Sequence, residues 1–388
     1  MLSDASPQSI GAGLLAAIVG YASSVAVVVH GLAAVGASEG EIGSALALLC
    51  LGMGLCAVCL SLITRMPISA AWSTPGMALL GTLPALPGGF GAAVGAFLAV
   101  GLMIMLTGLW TPLGRLIGAI PKSIAGGMLG GILFKLCIAP FQAIGEAPAA
   151  ALVLIGVWLV VGRFARLWAA PAALAVALAI LIATGDTASL TPALPHLEIV
   201  TPVLTWQAMV SIGLPLYIVT MASQNIPGLT VLAAFDYRPG TRLIFLATGG
   251  LSTLAAPFGA PTINLAAITA VLCAGPDAHA DPKKRYVAAV ITGLCYLVPY
   301  PLLAAMATAL VTHSSPVLIE AVAGLALIGA FGSALLGTVQ DEKGRLPALF
   351  TFLVTASGLT LAGIGAAFWG LCAGLIVAGL MAVTRDRA

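Results

Sequence analysis

The run YIVTMASQNIPGL sets Tyr217, Thr220, Ser223, Gln224 and Asn225 close together inside an otherwise apolar stretch. Hydroxyls and neutral amides hold a ligand by hydrogen bonds, but they do not attack one without a base beside them. At membrane depth such groups have two readings, helix packing or the wall of a polar cavity. Spacing favours the cavity: Tyr217, Thr220 and Gln224 follow i, i+3, i+7 and share one helical face, and Pro227-Gly228 predicts the end of that helix just beyond them. The first apolar run offers Tyr21, Ser24 and His30 in return. His30 reads either as a proton carrier, because an imidazole titrates near neutral pH, or as a structural histidine near the outer boundary. Glu320 is the one carboxylate placed beyond an obvious loop, and it reads either as a proton site or as a side chain snorkelling to the surface. No HExxH motif, embedded Ser–His pair or Asp–Asp pair stands at a spacing that hydrolysis would need, so the chain is not read as an enzyme. Cys56 and Cys59 form a CxxC with no second Cys or His pair at ligand spacing, which reads as packing and implies no metal or cofactor.

The elements that carry these residues are membrane spans. The 388 residues are 61% hydrophobic and 7% charged, with a mean hydropathy of +1.13, which excludes an ordinary soluble domain. Apolar runs predict fourteen spans, over 11–35, 41–63, 70–86, 90–112, 121–138, 148–162, 169–185, 205–223, 241–256, 259–274, 286–311, 316–337, 346–362 and 365–383. With the N-terminus inside, the inner connections collect fourteen of the fifteen basic residues, from Arg65, Arg115 and Lys122 through Arg385 and Arg387, leaving Lys135 toward the outside. That bias follows the positive-inside rule and predicts both termini in the cytoplasm. The first nine residues, MLSDASPQS, lack the basic start and small-residue cleavage site of a secretory signal, so a short cytoplasmic tail is expected before a retained first helix. A net charge of +2 with no basic stripe argues against nucleic acid.

The halves repeat. MPISAAWSTPGMALL in the first and APFGAPTINLAAI in the second are each a proline-led extended run feeding a short apolar helix, with Pro67 and Pro257 190 residues apart. IPKSIAGGMLGGILF and SPVLIEAVAGLALIGAF, which begin helices at Pro121 and Pro316, repeat at 195. Seven spans per half is an odd number, so the second copy must enter the membrane inverted. Non-helical backbone at that depth survives only beside protein or cavity water, which points to a midplane site between the broken helices rather than to simple kinks. In the first copy Thr74 is expected to cap the half-helix, with Pro75 at its first position and Gly76 allowing close approach. In the second, Pro261 is expected in the Pro75 role. Ala260 has no capping side chain, which leaves Thr262, Asn264 or a bound anion to meet the free N–H groups. Helix N-termini facing one cavity would favour negative charge by about 0.3–1 kcal/mol each. The glycines 126, 127, 130 and 131 supply two small-xxx-small pairs for close helix packing.

The run YIVTMASQNIPGLTVL, followed by APFGAPTINLAAI and VAGLALIGAF, resembles the benzoate–proton symporter (BenE) family of bacterial inner-membrane transporters, over essentially the whole chain. The resemblance implies the all-α fold of nucleobase and sulfate-type anion transporters: a 7+7 inverted repeat with short strands before broken helices 3 and 10. It implies a core domain of residues 1–112 and 205–312, a gate domain of residues 113–185 and 313–388, and an outer linker at 186–204. By the same resemblance the ligand lies among Ser73, Thr74, Gly76, Gln224, Asn225, Thr262, Ile263 and Asn264, with Tyr217 against its ring. Nucleobase carriers of this fold have an acid in the eighth span where this chain has Gln224, and another in the tenth where it has none. A carboxylate substrate would be repelled by such acids. The resemblance therefore implies proton-coupled uptake of benzoate or a related aromatic carboxylate by alternating access, with a nucleobase or inorganic anion as the alternative. It implies no cofactor, and a homodimer is the usual assembly of the fold.

Overall fold

The structure, a computed structural model, describes residues 4–83, 87–110, 112–113, 119–184, 196–267, 269–300, 302 and 316–385. Arg115, Asp186, Pro192, Pro195, Arg387 and most of the expected span beyond residue 300 lie outside them. Helix α1 (Pro7–Ala22) starts on a capping box between Ser6 and Ser9, with Pro7 at its first position. The chain breaks at Ser23-Ser24 before α2 (Val25–Ala34), so the first span is two helices where the apolar run predicts one. The Ser24 hydroxyl donates to the Gly20 carbonyl at 3.0 Å, competing with the helix ladder at the break. Helix α3 (Glu39–Thr64) opens on a Ser38–Glu41 capping box and stops at Arg65, which is left-handed at φ 56°. Strand β1 (Ala70–Trp72) and the half-helix α4 (Thr74–Leu80) follow. The first half continues with α5 (Gly89–Leu109), α6 (Lys122–Glu146), α7 (Pro148–Phe164) and α8 (Ala169–Thr184).

The second half runs through α9 (Trp206–Ala234), α10 (Thr241–Ala255), strand β2 (Ile263–Leu265), half-helix α11 (Thr269–Ala274), α12 (Tyr286–Leu297), α13 (Pro316–Val339), α14 (Arg345–Ala356) and α15 (Ala366–Arg385). Among the described residues, α1 with α2, and α3, α5, α6, α9 and α13, are long and apolar enough by themselves to cross a membrane. The expected stop at Pro227 does not occur: α9 continues past it to Ala234. Its turns at Met209–Gly213 and Met221–Asn225 are π-helical. The wider turn already shifts the carbonyl pattern ahead of Pro227, so the missing N–H falls where the ladder is being rearranged.

β1 and β2 pair antiparallel in the interior, Ala70 with Leu265, Ala71 with Asn264 and Trp72 with Ile263. The three pairs are 195, 193 and 191 residues apart, close to the offsets of 190 and 195 at which the halves repeat in sequence. Around the strands pack α1–α5 and α9–α12, with α10 on α5 and α12 on α3 and α1. The remaining helices pack together, α13 and α14 on α6 and α15 on α14. The four-glycine run makes that packing: Gly126 faces the Ala334 carbonyl of α13, whereas a Cβ on Gly127 would collide with the Ala348 carbonyl of α14. Gly127→Val is therefore expected to lower the melting temperature of the detergent-purified protein by several degrees, since overpacking costs about 1–3 kcal/mol. Gly329→Ala, where nothing lies within 4 Å, should leave the melt unchanged.

Candidate functional site

At the strand crossing lies a cavity of about 60 Å³. The break between α1 and α2 brings Gly20, Ser23 and Ser24 to it, β1 brings Ala71 and Trp72, and α9 brings Gln224. Thr74 and Thr269, the first residues of the two half-helices, face it from either repeat, with Ala266 and Ala267 between. Tyr296, Met53 and Val19 complete the wall. Trp72 is held by its Nε1–H, which donates to Ser24 Oγ at 2.8 Å, and its ring packs on Tyr21 with centroids 5.4 Å apart. Among the described residues every lining side chain is neutral, and the wall combines hydroxyl and amide groups with aromatic and apolar ones. A larger cavity of about 110 Å³ lies at the Lys122 end of α6, against Lys343 and Pro347. It touches none of the broken elements.

Of the residues singled out in the sequence, Ser24, Thr74 and Gln224 reach the cavity wall. Ser73, not Thr74, caps α4: its Oγ accepts the Gly76 N–H at 3.2 Å and the Thr220 hydroxyl at 2.9 Å. With the cap one residue earlier, Thr74 is freed to face the cavity. Gly76 is where α4 meets α9, since a Cβ there would run into Leu216. Tyr217 is buried and its hydroxyl pairs with Thr107 of α5, so it forms no part of the cavity wall. The face shared by Tyr217, Thr220 and Gln224 is undone by the π turn, whose extra residue rotates Gln224 by about 100° from its α-helical place.

The second repeat departs further from expectation. Pro261 does not open a half-helix: residues 260–262 are extended, 263–265 are strand, and α11 begins at Thr269. The donors expected to be free there are spent. Ile263 N–H goes to Ser252 Oγ at 2.8 Å and Leu265 N–H to Asn225 Oδ1 at 3.0 Å. Asn225 thus ties α9 to β2, and the Ile263 side chain packs on Gly52 of α3. Thr262 and Asn264 are fully buried. The Thr262 hydroxyl and the Asn264 Oδ1 have no partner among the described residues, while Asn264 Nδ2 donates to the Leu265 carbonyl at 2.9 Å. His30 and Glu320 meet each other away from the cavity, Nδ1 to Oε1 at 3.7 Å. The residues missed in the sequence are Gly20, Ser23, Trp72, Ala266, Ala267, Thr269 and Tyr296. The Ser23-Ser24 pair in an apolar span was the signal available for Ser23.

Comparison with solved structures places the fold. The transmembrane domain of a cyanobacterium bicarbonate transporter, BicA, matches with a TM-score of 0.62 at 15% identity, covering 95% of this chain and 97% of that one. Murine Slc26a9, an anion transporter in its inward-facing state, matches with a TM-score of 0.61 at 12% identity, covering 97% of this chain and 68% of that one. The class of fold is thus a 7+7 inverted repeat of membrane helices. Within it, residues 3–380 match the family described as benzoate membrane transport protein, BenE, and the chain belongs to that family. It is 37% identical to inner membrane protein YdcO of Escherichia coli over 98% of this chain and 97% of that one. It is 32% identical to a benzoate membrane transport protein of Acinetobacter baylyi, covering 94% and 93%.

Asn225→Leu strands the buried Leu265 N–H, a loss of about 1–3 kcal/mol, and is expected to lower the melting temperature clearly. Ser223→Ala removes only a local bond to the Val219 carbonyl and should lower it far less. Equal melts for the two would contradict the tie between α9 and β2.

Proposed function

We propose that the chain carries benzoate or a related aromatic carboxylate across the bacterial inner membrane together with a proton, by alternating access. One observation carries the reading: the cavity at the crossing of the two repeats offers hydroxyls and an amide from both, and no acidic side chain. In the membrane interior an acid there would repel a carboxylate strongly. The carboxylate takes the Thr74 and Thr269 hydroxyls and the Gln224 amide, and the ring lies against Trp72, Met53 and Val19. The A. baylyi relative, a benzoate membrane transport protein by its description, supports the substrate class. The YdcO relative supports the inner membrane, and the charge bias supports both termini in the cytoplasm.

The cavity is smaller than the roughly 150 Å³ that an apolar site needs to take up benzene. Loading therefore requires the wall to move. The core domain, residues 1–112 and 205–312, holds the lining side chains, and the gate domain, residues 113–185 and 313–388, moves against it to expose them on alternate sides. The small volume also favours a second reading, an inorganic anion in the same place. Competition separates the two: unlabelled benzoate is expected to suppress labelled benzoate uptake in proteoliposomes, and sulfate, bicarbonate and uracil are not. Suppression by an inorganic anion with none by aromatic acids would reverse the order. Gln224→Glu adds a like charge at the carboxylate and is expected to weaken benzoate binding at least about tenfold, equivalent to about 1.4 kcal/mol. Unchanged affinity would remove Gln224 from the site.

A further inference from the structure

We propose that His30 is a proton-binding joint between the two groups of helices, gripping Glu320 and Gly81 together when protonated and releasing them when not. The proposal rests on the transport reading above, to whose proton it gives a residue. His30 stands in α2, in the group that packs around the strands, and Glu320 in α13, in the other group. Another ion pair, Arg65 with Asp4, stays within the first group.

His30 Nδ1 faces Glu320 Oε1 at 3.7 Å, an ion-pair distance. On its other side the ring lies against the backbone of Gly81, where a Cβ would lie 2.6 Å from Nε2. The Gly81 N–H is already given to the Met77 carbonyl at 3.2 Å, so the ring meets the Gly81 carbonyl. Both ring nitrogens therefore face acceptors. A neutral imidazole has one N–H and one lone pair, and satisfies only one of them. The imidazolium has two N–H groups and satisfies both, provided that Glu320 stays ionised.

Other groups do not compete for the ring. Around α2, the half-helix α4 carries no titratable side chain, and α1 brings Tyr21 to the Trp72 ring. Helix α3 brings Glu39, Glu41 and the cysteines 50, 56 and 59, with the Glu41 carboxylate taking the Ser38 N–H. Lys135 stands in α6, which packs on α4 and α13. Glu320 is the charged group that stands at ion-pair distance from the ring. The His30 side chain is 15% exposed and that of Glu320 43%, so the pair lies at the surface of the helix bundle rather than in its core.

The same ring touches the transport site through one rigid element. Gly81 is the C-cap of α4, and Thr74, at the other end of that helix, lines the cavity. Seven residues of helix separate them by about 10 Å. Opening the joint frees the C-terminal end of α4 from α13 while leaving its N-terminal end at the ligand.

The test is the distance between spin labels at Ala34 and Val317, measured by double electron–electron resonance on full-length purified protein at about pH 5.5 and 8, either side of the ordinary imidazole range. Benzoate-induced thermal stabilisation is read in parallel. The wild type is expected to show a short-distance population that shrinks at least about twofold at the higher pH. His30→Gln should give one distribution at both values, and Glu320→Gln a weakened short population at both. A pH shift that survives His30→Gln, or no shift in the wild type, overturns the joint. Loss of all benzoate stabilisation in the wild type would instead remove the transport reading while the pH shift stood. Glu320 is partly exposed, so its variant keeps the test open if His30→Gln fails to fold.

Discussion

Two extended segments cross in the interior of this protein, and their backbone groups cannot be left to lipid. The β1–β2 pairing meets part of that demand, and side chains meet the rest: Ser252 takes the Ile263 N–H and donates to its carbonyl, and Asn225 takes the Leu265 N–H. Each of these bonds joins a strand to a helix of the second repeat. The paired strands come one from each repeat, so the crossing is also where the two repeats are fastened. The cavity, the half-helices and the polar stretch of α9 all take their positions from it.

The site that results is weakly polar rather than charged. Helices α4 and α11 span only Thr74–Leu80 and Thr269–Ala274, too short for a strong macrodipole, and the Gly76 N–H of α4 is already capped by Ser73. An anion here depends on hydroxyl and amide side chains. Such a site suits a substrate that must bind well enough to enter and weakly enough to leave. It also suits a ligand with one charged end, because the remaining wall is aromatic and apolar.

Much of this was legible in the chain. Apolar length gave the spans, the spacing of Pro67 and Pro257 gave the repeat, and an odd span number gave its inversion. What misled was proline. Pro261 marks the entry to a strand and not the start of a helix, because the register of β2 is set by pairing with residues 191 to 195 positions away, which no local signal reveals. Pro227 does not end α9, because a π turn absorbs its missing donor, and that same turn moves Gln224 off the face it would share with Tyr217. The cap fell on Ser73 where Thr74 was expected, a choice between two adjacent hydroxyls that depends on where the strand lets go. His30 and Glu320 were each legible as ionisable groups, but their meeting belongs to tertiary packing alone.

The central claim is that an aromatic carboxylate occupies the cavity at the strand crossing. Ala267 lines that cavity, so a cysteine placed there, in protein whose seven native cysteines have been replaced, reports on it directly. The account predicts that benzoate slows maleimide labelling of Ala267→Cys in a saturable manner, and that sulfate and uracil do not. A labelling rate indifferent to benzoate in protein that still transports it, or protection by uracil or sulfate in its place, would contradict the account.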